Sequence, residues 1–170
     1  MAVPHDRAKL RSIYLDDHWA GAGAGVALAK RLAAENEGTP WHVTLCQIAV
    51  DIEADQQILA RLRDAEPGGG GFSFKRVLAQ GVERVGRLKL NGRLVGYSPL
   101  SRVLELEALM SGVQAKRGLW QALRQSEFTA GDVDLSELER RAVEQLDALS
   151  GIHEQAARLA FGVESSPELI

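Results

Sequence analysis

The stretch Ser98-Pro99-Leu100-Ser101-Arg102-Val103-Leu104-Glu105-Leu106-Glu107-Ala108-Leu109-Met110 reads as the opening of a helix, and its continuation decides the fold. Ser98 is a natural N-cap, and Pro99 suits the first helical position, where a missing N–H is no loss. Beyond them Leu100, Val103, Leu104, Leu106, Leu109, Met110, Val113, Leu119, Trp120 and Leu123 leave little of the circumference polar. A helix apolar around most of its girth is expected to be the most buried element of the chain, with other helices about it.

Those helices are legible on either side. Upstream, Leu10, Ile13, Tyr14, Asp17, Gly21, Ala24, Leu28 and Leu32 fall on one face at helical spacing, which predicts a first helix over about 7–34. Gly21, Gly23 and Gly25 interrupt it at a cost of roughly 1 kcal/mol each relative to alanine. The expected reason is packing, since small residues let a neighbouring helix approach closely. A narrower strip, Leu15, Trp19, Ala22 and Val26, lies on the opposite face and is expected to be exposed, as the interface of a homodimer.

Gly38-Thr39-Pro40 closes the first helix and opens a second over about 40–65, with Thr39 as N-cap and Pro40 at the first position. It buries Trp41, Leu45, Ile48, Ile52, Leu59 and Leu62 and stops at Pro67 and the run Gly68 to Gly71. The long connection that follows carries its own amphipathic piece, Phe74, Val77, Leu78, Val82, Val85 and Leu88, expected as a short helix over about 74–88. After the third helix, over about 99–124, Asp132 to Ser136 opens a fourth, over about 133–161. Its stripe is Leu138, Ala142, Leu146, Leu149, Ile152, His153, Ala156 and Ala160. The expectation is one all-α domain over 1–170, a four-helix bundle with a short extra helix between helices two and three.

Composition agrees with this and excludes several classes of function. With 45% hydrophobic and 25% charged residues the chain can bury a real core. A net charge of −3 argues against general affinity for nucleic acid or anionic membrane. The single cysteine, Cys46, permits no internal disulfide, and no basic n-region precedes an apolar stretch, so a cytoplasmic protein is expected. No apolar run approaches the roughly 20 residues that span a bilayer.

Each helix also carries a polar residue on or beside its expected buried stripe: Asp17, Asp55 with Gln56, Glu107, and His153. Counting from the loops places Asp17 level with Asp55, and Glu107 level with His153. Carboxylates and one imidazole converging inside a bundle suit iron, manganese or zinc, so these four are the candidate metal ligands. Two other readings stand beside it: a hydrogen-bonded network that fixes helix register, with His153 bonded to Glu107 and no metal cofactor, and a small-ligand or catalytic pocket. If the four share one level, the long connection folds over one end of the bundle and all neighbours are antiparallel. A crossover instead makes helices two and three parallel and offsets the pairs by about seven residues, near 10 Å. Asp16-Asp17-His18 cannot chelate together, because consecutive helical residues point about 100° apart.

The connection reverses the overall charge. Lys75, Arg76, Arg84, Arg87, Lys89 and Arg93 face a single acid, Glu83, which marks a candidate site for an anionic or phosphate-bearing partner. Around it, Gly86-Arg87-Leu88-Lys89-Leu90-Asn91-Gly92-Arg93-Leu94 and Tyr97-Ser98-Pro99-Leu100-Ser101-Arg102 stand with Tyr14-Leu15-Asp16-Asp17-His18 and Leu119-Trp120. In these the chain resembles a family of uncharacterised bacterial proteins, and in outline the ferritin-like architecture. The Glu-x-x-His pairs of the di-iron proteins are missing: Glu53-Ala54-Asp55-Gln56 has glutamine in place of histidine, and Ser150-Gly151-Ile152-His153 has serine in place of glutamate. The function expected from sequence is therefore that of a non-enzymatic bundle acting through self-association or partner binding. The alternative is a degenerate ferritin-like metal or redox protein.

Overall fold

In the computed structural model, which describes residues 4–66, 97–126, 128 and 131–162, the protein is a bundle of four helices. They are α1 (Pro4–Glu35), α2 (His42–Ala65), α3 (Pro99–Arg124) and α4 (Leu135–Phe161), and no strand occurs among the described residues. None of these helices is long and apolar enough to cross a membrane. The expected helix over 74–88 lies outside the described residues, as do Lys75, Arg76, Arg84, Arg87, Lys89 and Arg93.

The caps show why the helices start where they do. Ser98 Oγ accepts the Ser101 N–H at 3.0 Å with Pro99 in the first turn, as the sequence predicts. Asp134 caps α4 by accepting from the N–H groups of Ser136 and Glu137, at 2.9 and 3.1 Å. Asp134→Ala should cost about 1 kcal/mol in urea unfolding, the usual worth of such a cap, and an unchanged midpoint would show the bond to be idle. The start of α2 departs from expectation. Trp41 is its N-cap residue, without a side-chain cap bond, while Thr39 and Pro40 belong to a turn in which Gly38 takes φ 78°. Thr39 still contributes, accepting the Trp41 N–H on its hydroxyl at 3.3 Å.

Side-chain pairs fix the direction of each helix. At one end Asn36, just after α1, accepts from Arg102 Nε of α3 at 2.6 Å, and Trp41 Nε1 donates to Gln155 of α4 at 2.9 Å. At the other end Arg11 of α1 donates to Glu66 at 2.8 Å, and Gln121 of α3 donates to Glu139 of α4 at 2.7 Å. Hence α1 and α4 run one way, α2 and α3 the other. Helices α1 with α2, α3 with α4, α1 with α3 and α2 with α4 are neighbours, so α2 and α3 are parallel across the diagonal. The chain leaves α2 beside Arg11 and re-enters α3 beside Asn36, so residues 67–96 join opposite ends of the bundle. The end-loop topology that a shared polar level would have required is thereby replaced by a single crossover.

The faces of α1 are partly exchanged relative to the sequence reading: Leu32 is buried as expected, and Tyr14 and Leu28 pack against the core. Its buried residues are Ser12, Leu15, Val26, Ala29, Leu32, Ala33 and, beyond the helix, Asn36, with Trp19 and Ala22 half-buried in the same row. The steps of three and four residues are those of a helix seam in a bundle. Leu15 is fully buried and Val26 nearly so, which removes this strip as an exposed dimer interface. Leu10, Asp17, Gly21 and Ala24, expected inside, are exposed. Side-chain bulk explains the exchange: Leu15, Trp19 and Val26 bury far more apolar area than the glycines and alanines opposite.

The core has two apolar parts. The upper part includes Leu32, Leu45, Ile48, Ile52, Leu106, Leu109, Val113, Leu149 and Ile152, and the lower one Leu15, Leu59, Leu62, Leu119, Trp120, Leu123, Leu135 and Leu138. In α2 Asp55 sits between Ile52 and Leu59, in α3 Lys116 between Val113 and Leu119, and in α4 Gln145 between Ala142 and Leu149. A polar layer therefore divides the core.

Candidate functional site

That layer is organised on one carboxylate. Asp55 is 1% exposed, and burial of a lone charge there would be prohibitive. Lys116 Nζ meets its Oδ2 at 2.5 Å and also donates to Gln145 Oε1 at 2.6 Å, while Arg141 Nη2 donates to Oδ1. Lys116 reaches Asp55 across the bundle diagonal, so the layer ties three helices together at one level. Burial pushes the Lys116 ammonium below the usual lysine range, with Asp55 opposing that shift. One buried carboxylate thus binds two cations, with Asp51 a second acid near Lys116. The Nε2 of buried Gln145 and the Nε of Arg141 have no hydrogen-bond partner, so the layer is rich in donors.

A cleft of about 670 Å³ opens onto this layer between α1, α2 and α3, a volume typical of small-molecule sites. Its walls are largely small and apolar: Gly21, Ala24, Gly25, Ala108, Gly112 and Ala115, with Leu28, Leu109 and Val113. A Cβ added at Gly21, Gly25 or Gly112 would meet nothing within 4 Å among the described residues. Among the described residues, then, these glycines bring no helix into close approach, and they line the space between α1 and α3. Gly23 differs, since a Cβ there would come within 3.7 Å of Gln56 Nε2.

Two buried polar groups on the cleft wall have atoms without a partner. Glu105, 5% exposed, gives Oε1 to Arg31 at 3.1 Å and leaves Oε2 unpaired. Burial raises its pKa above the usual glutamate value, partly offset by Arg31. Trp120, fully buried, leaves its indole Nε1–H without an acceptor. Lys116 and Asp55 also line the cleft, as do Asp17 and His18 at its lower edge. Desolvation lowers the His18 pKa, with Asp17 acting against it. Glu105 Oε2 and Trp120 Nε1 are both buried, with no hydrogen-bond partner among the described residues.

The four metal candidates from the sequence are not brought together. Asp55 is committed to Lys116 and Arg141 in the core. Glu107 and His153 do form the expected pair, with His153 Nε2 at 3.1 Å from Glu107 Oε1, but on the outer side of the α3–α4 hairpin, where Glu107 is 54% exposed. Asp17 is exposed on α1. Among the described residues no group of three or more His, Cys, Asp or Glu side chains could hold a metal ion. The antiparallel α3 and α4 bring Glu107 to His153, whereas the crossover sets Glu107 nine residues above Lys116, the residue level with Asp55.

Sequence reasoning found Asp55 but missed Lys116, Arg141, Gln145 and Asn36. A signal existed for two of them: Lys116 and Gln145 each continue an apolar seam at steps of three and four residues. Asn36 carried none, although it is wholly buried, donating to Leu32 O at 2.7 Å and to the Tyr97 hydroxyl at 3.3 Å. Fold and site together define a single-crossover four-helix bundle with a donor-rich polar layer and a lateral cleft. No family model, curated protein or solved structure matches the chain.

Proposed function

We propose that the protein is a non-enzymatic binding bundle whose cleft between α1, α2 and α3 takes up an apolar small molecule. The observation that supports this best is the cleft itself: about 670 Å³, walled largely by small apolar side chains. The amine in the lining, Lys116, is already engaged by Asp55 and Gln145, which gives it a structural role, and the remaining polar groups are few. A small-molecule ligand differs from the partners expected from sequence, a second copy of the chain or an acidic or phosphate-bearing molecule at the basic connection. Self-association would have to use a face other than the Leu15 strip, and a metal centre would need ligands beyond the Glu107–His153 pair.

The test is uptake of N-phenyl-1-naphthylamine, a neutral fluorophore that brightens in apolar surroundings, by the intact chain. Saturable, stoichiometric uptake is expected. Gly112→Leu should reduce it about tenfold or more by filling the cleft, a loss of about 1.4 kcal/mol of binding. The fold should survive the change, because leucine replaces the poorest helix former but proline at an open position. Absence of uptake by wild type would refute the proposal.

A further inference from the structure

Arg31 is the last residue that α1 gives to the cleft wall, and Glu105 the first that α3 gives. Their ion pair, Arg31 Nη2 to Glu105 Oε1 at 3.1 Å, therefore spans the upper end of the cleft from one wall to the other. Below it the facing side chains are small or apolar, Ala24, Gly25 and Leu28 from α1 with Ala108, Leu109 and Gly112 from α3. Among the described residues no other polar contact ties α1 to α3 along the cleft, and the next one, Asn36 with Arg102, lies beyond its end. The two partners are unequally held. Glu105 is buried with Oε2 unpartnered, whereas the Arg31 side chain is 42% exposed. Arg31 can turn to water, and Glu105 cannot. Glu35, exposed and one turn beyond Arg31 on α1, stands at the spacing that lets a guanidinium and a carboxylate pair along one helix. Arg31 thus has one anion across the cleft and a second on its own helix.

From this we infer that Arg31 and Glu105 form a clasp released by a proton. With Glu105 ionised the pair ties α1 to α3 and restrains exchange through the cleft; with Glu105 neutral, Arg31 turns to Glu35 and solvent, and the occupant leaves faster. This rests on the cleft being a ligand site and adds how its occupancy is regulated. Burial above all, with the Glu35 charge, favours the neutral form of Glu105, and Arg31 favours the ionised one. The net direction is upward, so on acidification Glu105 takes its proton before an ordinary glutamate does. Both of those charges lie on α1, and α4, the other helix packed on α3, adds none. Tyr97, just ahead of α3, feels the Glu105 charge, but burial raises its own pKa and its hydroxyl stays neutral. His18 titrates too, yet at the opposite, lower edge of the cleft.

The test is the dissociation rate of bound N-phenyl-1-naphthylamine, which stays uncharged throughout, from the intact chain between about pH 8 and about pH 5. Wild type should release the probe about fivefold faster at the acid end, the rate equivalent of an ion pair of this exposure. Arg31→Gln and Glu105→Gln each remove the pair. Both should release the probe at the fast rate already at the alkaline end, and vary less than about twofold across the range. Arg31→Gln changes an exposed side chain, so it keeps the test decisive should Glu105→Gln fold poorly. A wild-type rate that is flat with pH, or a wild-type pH profile that persists in Arg31→Gln, overturns the clasp and leaves the cleft standing. Failure of the probe to bind overturns both.

Discussion

Asp55→Ala should lower the stability of the protein by about 3 kcal/mol in urea unfolding, the lower end of the cost of breaking a buried ion pair. The carboxylate is 1% exposed and holds Lys116 and Arg141, whose side chains are 14% and 25% exposed. Its removal leaves two cations facing each other with no anion between them, and neither can turn fully to water. Arg141 retains the most access, which is why the lower end is expected. Replacing the layer together, as Asp55→Leu with Lys116→Met, should restore most of the loss, because a fully apolar layer carries no desolvation cost. A single-variant loss below about 1 kcal/mol would mean that the cations find other partners and that the layer does not set helix register.

Trp120→Ala should cost about 3–5 kcal/mol, the usual range for deleting a large aromatic from a packed core. The ring is wholly buried in the lower part of the core with Leu15, Leu62, Leu119 and Leu123. Its neighbours come from three helices, so they cannot collapse together into the space. Trp120→Phe should cost much less, since most of the ring volume is retained and the deleted N–H has no partner to strand. Urea midpoints of the two variants measure this directly. Similar losses would assign the effect to the missing indole N–H, and hence to a partner for it in the unliganded protein.

Other features of the bundle follow from the same balance of bulk and charge. The polar contacts at the upper end converge on Arg102, whose guanidinium lies 5.3 Å from the Trp41 ring centre and 5.2 Å from that of Tyr97 while Nε binds Asn36. These contacts position α3 against the end of α1 and so hold the cleft at its Arg31–Glu105 end. Gly21 and Gly25 of α1 carry a helix-propensity cost without close packing against any described residue, which is the pattern expected where space itself is the feature being kept.

Element existence was readable because local signals coincide at the starts of α3 and α4. Ser98-Pro99 and Asp134 bear N-cap chemistry, and apolar seams of helical period follow each of them. The Glu107–His153 pair was also readable, since a short α3–α4 connection forces those helices antiparallel and sets their register. Face assignment on α1 was not. Leu15, Trp19 and Val26 on one side compete with Leu10, Tyr14 and Leu28 on the other, and periodicity alone weighs both stripes alike.

The sequence by itself determined four helices, their approximate ends, a core large enough for one domain, and the presence of Asp55 as a charge among apolar neighbours. Those properties are local, set by capping groups, breakers and the 3.6-residue period. Only the tertiary structure decided that α2 and α3 run parallel, that Leu15 and Val26 point inward, that Asp55 meets Lys116 across the diagonal, and that the glycine-bearing face of α1 borders a cleft. Each of these depends on which helix stands opposite which, a choice made by the summed burial of large side chains and by the pairing of one buried carboxylate. No single helix carries that information, because a helix face is apolar or polar on its own but becomes core, layer or cleft only through its neighbours.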